Sequence, residues 1–144
     1  MTASRQPRIV GDKLIWLPPG DPNDRAALRD APRGGELLLI GHGDRDRQTL
    51  AGLDAAAIAE QVRAHPGWQP GRPLRVDACW LGCREDGFGQ QLADALGSPV
   101  LAPVARTLSF IRWSTGPWHS VPIGRSKALP LWPARWRRFE PRRG

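Results

Sequence analysis

The chain reads as an α/β domain: a mostly parallel sheet flanked by helices, with a C-terminal extension of β and irregular structure. Three observations lead there. Glu36-Leu-Leu-Leu-Ile-Gly41 is an almost unbroken apolar run, the pattern of a central strand covered on both faces. Two more short apolar runs follow, at residues 74–79 and 98–103, and helical patterns separate the three. The resulting order over residues 36–103, β-loop-α-β-α-β, calls for right-handed crossovers and therefore for parallel neighbours.

Each element has a local reason. Arg8-Ile-Val-Gly-Asp-Lys-Leu-Ile-Trp-Leu17 is a strand, or a small hairpin turning at Gly11-Asp12, stopped by Pro18-Pro19-Gly20. Asp21-Pro22 is a helix start, an N-cap followed by proline at the first helical position, and the helix runs to about Arg29. Pro32-Arg-Gly-Gly35 turns the chain into the central strand. Residues 43–52 are polar and read as a loop. Asp54 caps a helix over residues 55–64, whose Ala55, Ile58, Ala59 and Val62 share one face. Pro66-Gly67 ends it. A second helix over residues 87–96 gathers Phe88, Leu92, Ala95 and Leu96 on one face and stops at Gly97.

The last forty or so residues follow another logic. Leu108-Ser-Phe-Ile-Arg-Trp113 is a strand that residues 118–123 can pair with, around a turn at Thr115-Gly-Pro117. Pro130, Pro133 and Pro141 forbid long regular structure beyond that. Trp132, Trp136 and Phe139 nevertheless require something to pack against.

At 144 residues the chain is one domain, with its core at residues 36–103 and a basic, Trp-rich extension at residues 104–144. No run approaches the ~18 apolar residues of a membrane helix. Met1-Thr-Ala-Ser-Arg-Gln-Pro7 lacks the apolar region of a signal peptide. Export then needs another route or a larger parent chain, and the compartment stays open between a secreted effector and the cytoplasm. The two cysteines, Cys79 and Cys83, are too few for a disulfide framework. His42 and His65 do not stand at zinc-finger spacing from them, so no metal is assigned. The formal charge of +7 is concentrated late: Arg125, Lys127, Arg135, Arg137, Arg138, Arg142 and Arg143 oppose only Glu140 in the last twenty residues. A solvated tail is the favoured reading; nucleic acid, an acidic partner or a polyphosphate are the functional ones.

The chemistry lies at two strand ends. His42-Gly43 follows the first apolar run and Cys79-x-x-Gly82 ends the second. Parallel neighbours deliver such residues to one edge of the sheet, outside the carboxyl ends of the strands. There a Cys and a His suit a nucleophile and its base. A glycine after the His allows close approach to the backbone, and Gly82 allows a sharp turn after the Cys. Cys83, beyond that glycine, is the rival nucleophile and the less favoured one. Asp77 shares the face of Cys79 by the two-residue period of a strand and could line a specificity pocket.

These residues carry a resemblance. His42-Gly43 after one strand and Ala78-Cys79-x-x-Gly82 after the next resemble the caspase–gingipain–legumain group of cysteine peptidases. The pattern, the helix Phe88-Gly-Gln-Gln-Leu-Ala-Asp-Ala-Leu-Gly97, the strand Pro99-Val-Leu-Ala-Pro103 and the closing Trp136-Arg-Arg-Phe139 are most similar to the self-cleaving cysteine protease domain of large bacterial toxins and its polymorphic-toxin relatives. The chain departs at Val104, where such relatives have Thr, and in the bulky Trp80-Leu81.

The resemblance implies a caspase-like three-layer fold and a cysteine endopeptidase of toxin or effector type, self-processing or directed at a target-cell protein. It implies catalysis by Cys79 and His42, an oxyanion hole from the backbone N–H groups of Gly43 and Cys79, and no need for a third carboxylate. The partners implied are a protein substrate and a cognate immunity protein, with no membrane. No cofactor is required, though an inositol polyphosphate could act as an activating polyanion on the basic tail. The alternatives are an inactive binding module on the same fold and a nucleic-acid-directed toxin using the tail. The latter is disfavoured, because the chain lacks paired carboxylates or a His cluster for phosphodiester hydrolysis.

Overall fold

A computed structural model describes residues 6–109, 120–124, 132–133 and 135–142. Its centre is a six-stranded mixed sheet in the order β1-β2-β3-β6-β7-β11. Strands β2 (Lys13–Ile15), β3 (Leu37–Ile40), β6 (Leu74–Asp77) and β7 (Val100–Pro103) run parallel. The edges β1 (Arg8–Val10) and β11 (Trp136–Phe139) are antiparallel to their neighbours. The expected α/β class and mostly parallel sheet are therefore observed. Of the two readings of residues 8–17, the hairpin through Gly11, at φ 59°, is the one adopted.

Strand alternation divides the sheet into two faces. Leu14, Leu37, Leu39, Leu74, Val76 and Val100 face α2 (Ala55–Arg63) and α3 (Phe88–Leu96), forming the main core with Ile58, Val62, Phe88 and Leu92. Ile15, Leu17, Leu38 and Ile40 face the other way and meet Ala27 of α1 (Asp24–Arg29). Burying each large apolar side chain contributes about 1.5–3 kcal/mol, so this two-sided burial of β3 is what fixes it at the centre.

The caps explain the helices. Asp54 accepts the Ala57 N–H at 2.8 Å, as its position predicts. Gly97 closes α3 in the left-handed conformation at φ 62°. The start of α1 differs from expectation: the N-cap position is Asn23, and Asp21 lies before it. Its far end is held by Lys13, whose Nζ donates to the carbonyls of Ala27, Leu28 and Asp30. Burial holds the Lys13 amine below its usual range, with Asp30 acting in the opposite direction.

The polar stretch after His42 is not a plain loop. It forms a hairpin of β4 (Gly43–Asp44) and β5 (Thr49–Leu50). Strands β8 (Arg106–Ser109), β9 (Ser120–Gly124) and β10 (Trp132–Pro133) make a separate antiparallel sheet, which bears out the pairing expected around residues 108–123. The turn expected at residues 115–117 lies outside the described residues. The closing strand β11 returns to the main sheet beside β7. Phe139 is 3% exposed there, packed so tightly on Gly89 of α3 that a Cβ on that glycine would stand 2.4 Å from the ring. Trp136 carries the Arg75 guanidinium over its ring at 4.7 Å. Arg75 also forms a two-point ion pair with the buried Glu36, at 2.7 and 2.9 Å.

Candidate active site

Paired strands set the site. Ile40 of β3 stands opposite Asp77 of β6 in the parallel ladder. His42 and Cys79 each follow two residues later, so they leave the sheet at equivalent positions on its carboxyl edge. The backbones then converge. A Cβ on Gly43 would lie 2.1 Å from the Cys79 carbonyl oxygen and 3.0 Å from the Cys79 nitrogen. Gly43 has no left-handed φ, so the glycine answers a need for space at this position. Gly82 does the same on the next side, where a Cβ would stand 2.2 Å from the Ala102 carbonyl oxygen of β7. Both glycines that the sequence singled out are thus contact points between backbones.

The His42 imidazole is oriented by a residue that sequence reasoning placed elsewhere. Its Nε2 lies 2.7 Å from Oδ2 of Asp21, with the imidazole 61% exposed and the carboxylate only 9% exposed. A carboxylate only accepts, so Nε2 carries the proton in this pair and Nδ1 remains as the other nitrogen. Asp21 is itself held. Its Oδ1 accepts the Asn23 N–H at 2.8 Å, and its own N–H donates to the Pro18 carbonyl. The bond from His42, followed by that from Asn23, keeps the Asp21 carboxyl below the usual carboxylate range, against the opposing effect of burial. The signal in the sequence was Pro18-Pro-Gly-Asp21-Pro22, which has the local look of a helix start.

Cys79 is half-buried, and its Sγ lies 4.0 Å from Oγ1 of Thr107 in β8. Cys79 and Cys83 are both free thiols. The turn after Cys79 is strained: Trp80 takes φ 72°, a region that bulky side chains rarely adopt, and its N–H is bound to the Ala105 carbonyl. Such strain is found where surrounding structure forces a side chain into a required position. Arg45 lies 5.4 Å from the Trp80 ring centre, over the same turn.

A cleft of about 840 Å³ opens beside His42. Trp16, Leu17, Pro18 and Pro19 supply apolar surface, and Asp21, His42 and Arg47 also line it. Asp77, the residue expected to line a specificity pocket, sits beside a second, smaller crevice. It is 7% exposed and faces that crevice with Asp30, Arg33, Arg75 and Trp136, away from the cleft beside His42. His65 also stays away from the site, accepting the Gly67 N–H at Nδ1 and bonding the Gly11 carbonyl through Nε2. No group of metal-ligating side chains occurs among the described residues. No helix among them is long and apolar enough to cross a membrane.

Among the described residues, three tail arginines pair with acids of the same chain. Arg137 pairs with Glu85, Arg138 with Glu140, and Arg142 with both Asp86 and Asp94. The Arg142 bonds hold the Asp94 carboxyl below its usual range.

Fold and site together define an α/β domain with a histidine–aspartate pair and a cysteine at the carboxyl edge of a parallel sheet. The chain belongs to the DUF8616 family, a domain of unknown function, whose model matches residues 13–119. No curated protein and no solved structure matches the chain.

Proposed function

We propose that this domain is a cysteine endopeptidase of the toxin-effector type, with a caspase-like layered arrangement around its parallel sheet. Cys79 is the nucleophile, His42 the base, and Asp21 the group that orients His42. The observation that carries the reading is the meeting of His42-Gly43 and Cys79 at one strand edge, with the imidazole anchored through Nε2 by a largely buried carboxylate.

In this mechanism the free Nδ1 of His42 takes the proton of the Cys79 thiol. The sulfur then attacks the scissile carbonyl carbon, and the carbonyl oxygen becomes an oxyanion. Its donors are the N–H groups of Gly43 and Cys79, as the resemblance implies. The hairpin supports the first of them. Ala51 donates to the His42 carbonyl, so the Gly43–Leu50 pair is a non-hydrogen-bonded one and the Gly43 N–H turns away from β5. Collapse of the intermediate passes the proton from His42 to the leaving amine and leaves an acyl-enzyme. A water, deprotonated by the same imidazole, hydrolyses the thioester and restores the thiol. The cleft beside His42 would take substrate residues on one side of the scissile bond, apolar side chains resting on Trp16 and Leu17. The substrate is a protein, either the parent polypeptide or a target, and the layout needs no cofactor.

The test is labelling by a thiol-directed electrophile, mapped by mass spectrometry. Cys79 should react with a rate that depends on pH and on His42, and Cys79→Ala should abolish both labelling and peptide cleavage. The replacement removes little volume, so it should cost less than about 2 kcal/mol of stability. Activity that survives Cys79→Ala but is lost in Cys83→Ala would move the nucleophile. A Cys79 that reacts identically with and without His42 would leave an inactive binding module on this fold.

A further inference from the structure

The segment Asp44-Arg-Asp-Arg-Gln48 reads as a charged surface loop, yet Gln48 is 8% exposed and holds a left-handed backbone at φ 53°. Its amide joins three segments. Oε1 accepts the Phe88 N–H at 2.9 Å, capping α3, whose own N-cap residue Gly87 has no side chain to do so. Nε2 donates to the Arg45 carbonyl at 2.8 Å, within the hairpin that follows His42. The same nitrogen lies 3.5 Å from the Trp80 carbonyl and 3.7 Å from Cys83 Sγ, in the turn that follows Cys79. Acceptors on one side and an N–H on the other fix which way the amide points. Gly87 leaves room for it, because a Cβ there would stand 2.3 Å from Oε1.

We propose that Gln48 is the positioning residue that locks the His42 hairpin to the strained Cys79 turn and so sets the imidazole–thiol geometry. The inference rests on the cysteine-peptidase reading above. Gln48 touches no reacting atom; it acts through Trp80, which directly follows the nucleophile, and through the hairpin that begins with His42 and Gly43. If the amide is lost, the two loops keep their folds but lose the side-chain tie that relates them. The imidazole should then assist the thiol less, and Cys79 should react more slowly.

The experiment uses the full chain and iodoacetamide, with adducts at Cys79 and Cys83 resolved by peptide mapping and thermal stability measured in parallel. Gln48→Glu keeps an acceptor for the Phe88 N–H and loses the donors. Gln48→Met keeps the volume and loses both, and serves if the added charge impairs folding. Both should slow Cys79 alkylation at neutral pH by about tenfold. The acid limb of the pH–rate profile should move to higher pH, while the plateau rate at high pH stays as in the parent. A purely structural role predicts the opposite pattern: lower melting temperature with an unchanged profile in the folded variants, and that result overturns the proposal. His42→Ala separates the two ideas. If it alters the profile and neither Gln48 variant does, only the positioning role falls. If it matches the parent profile, the dyad and the positioning role fall together.

Discussion

Gly43→Ala is the sharpest perturbation the site allows. The new methyl would start 2.1 Å from the Cys79 carbonyl oxygen, and ordinary contact begins at 3.4 Å, so the two backbones must part by about 1.3 Å. Neither neighbour is a flexible side chain that could swing aside. Gly43 lies outside the left-handed region, so alanine is conformationally acceptable and the cost is steric alone. Overpacking of this kind costs about 1–3 kcal/mol. For a domain of this size that corresponds to a fall of about 3–10 °C in melting temperature. The effect on chemistry should be larger, because a displacement near 1 Å in a reacting pair can cost about a hundredfold in rate. The assay is Cys79 alkylation at neutral pH, read beside thermal unfolding. Gly71→Ala is the control: its φ of 88° strains an alanine, but a Cβ there meets nothing within 4 Å. It should lower stability and leave the alkylation rate alone. A Gly43→Ala variant with parent melting temperature and parent alkylation would refute the claim that these backbones are in contact.

Further outcomes test the rest of the account. Asp21→Asn should slow Cys79 labelling and peptide cleavage by about 10–100-fold at neutral pH with little change in melting temperature, because it removes the charge that orients His42; unchanged kinetics would remove Asp21 from the site. Because Asp21 has a lowered folded-state pKa, the stability its pairing contributes should be complete above about pH 4 and lost as pH falls through that lower value, a loss that Asp21→Asn should abolish in acid-denaturation curves. Glu36→Gln should cost up to about 3 kcal/mol by leaving the Arg75 guanidinium, only 11% exposed, without its charge partner, measured by urea unfolding. Phe139→Ala should cost about 3–5 kcal/mol by emptying the space over Gly89, whereas a tail that merely trails in solvent would tolerate it.

What was readable in the sequence was what short-range chemistry decides. The unbroken Leu37–Ile40 run could only be a strand covered on both faces. Asp54 and Gly97 bound their helices through contacts within one turn. His42 and Cys79 were visible as equivalent strand ends because the parallel ladder follows from the βα alternation. Other features depended on which distant residues the fold brings together. Asp21-Pro22 looked like a cap, since nothing local says that its carboxylate will meet an imidazole from the next strand. Asp77 ends its strand, and its neighbours in the crevice, Asp30, Arg33, Arg75 and Trp136, come from distant parts of the chain that no local period relates to it. Gln48 looked solvated in a charged loop until the hairpin folded it against α3. The return of residues 136–139 to β7 had no local signature either, because an edge strand is chosen by the sheet it completes. Local propensity and apolar period determined the central strands, the two long helices and the place of His42 and Cys79 at strand ends. The neighbours of those two residues, Asp21 against His42 and the Gly43 backbone against Cys79, were decided by tertiary packing, where hydrogen bonds and close backbone contacts join residues that sequence spacing does not relate.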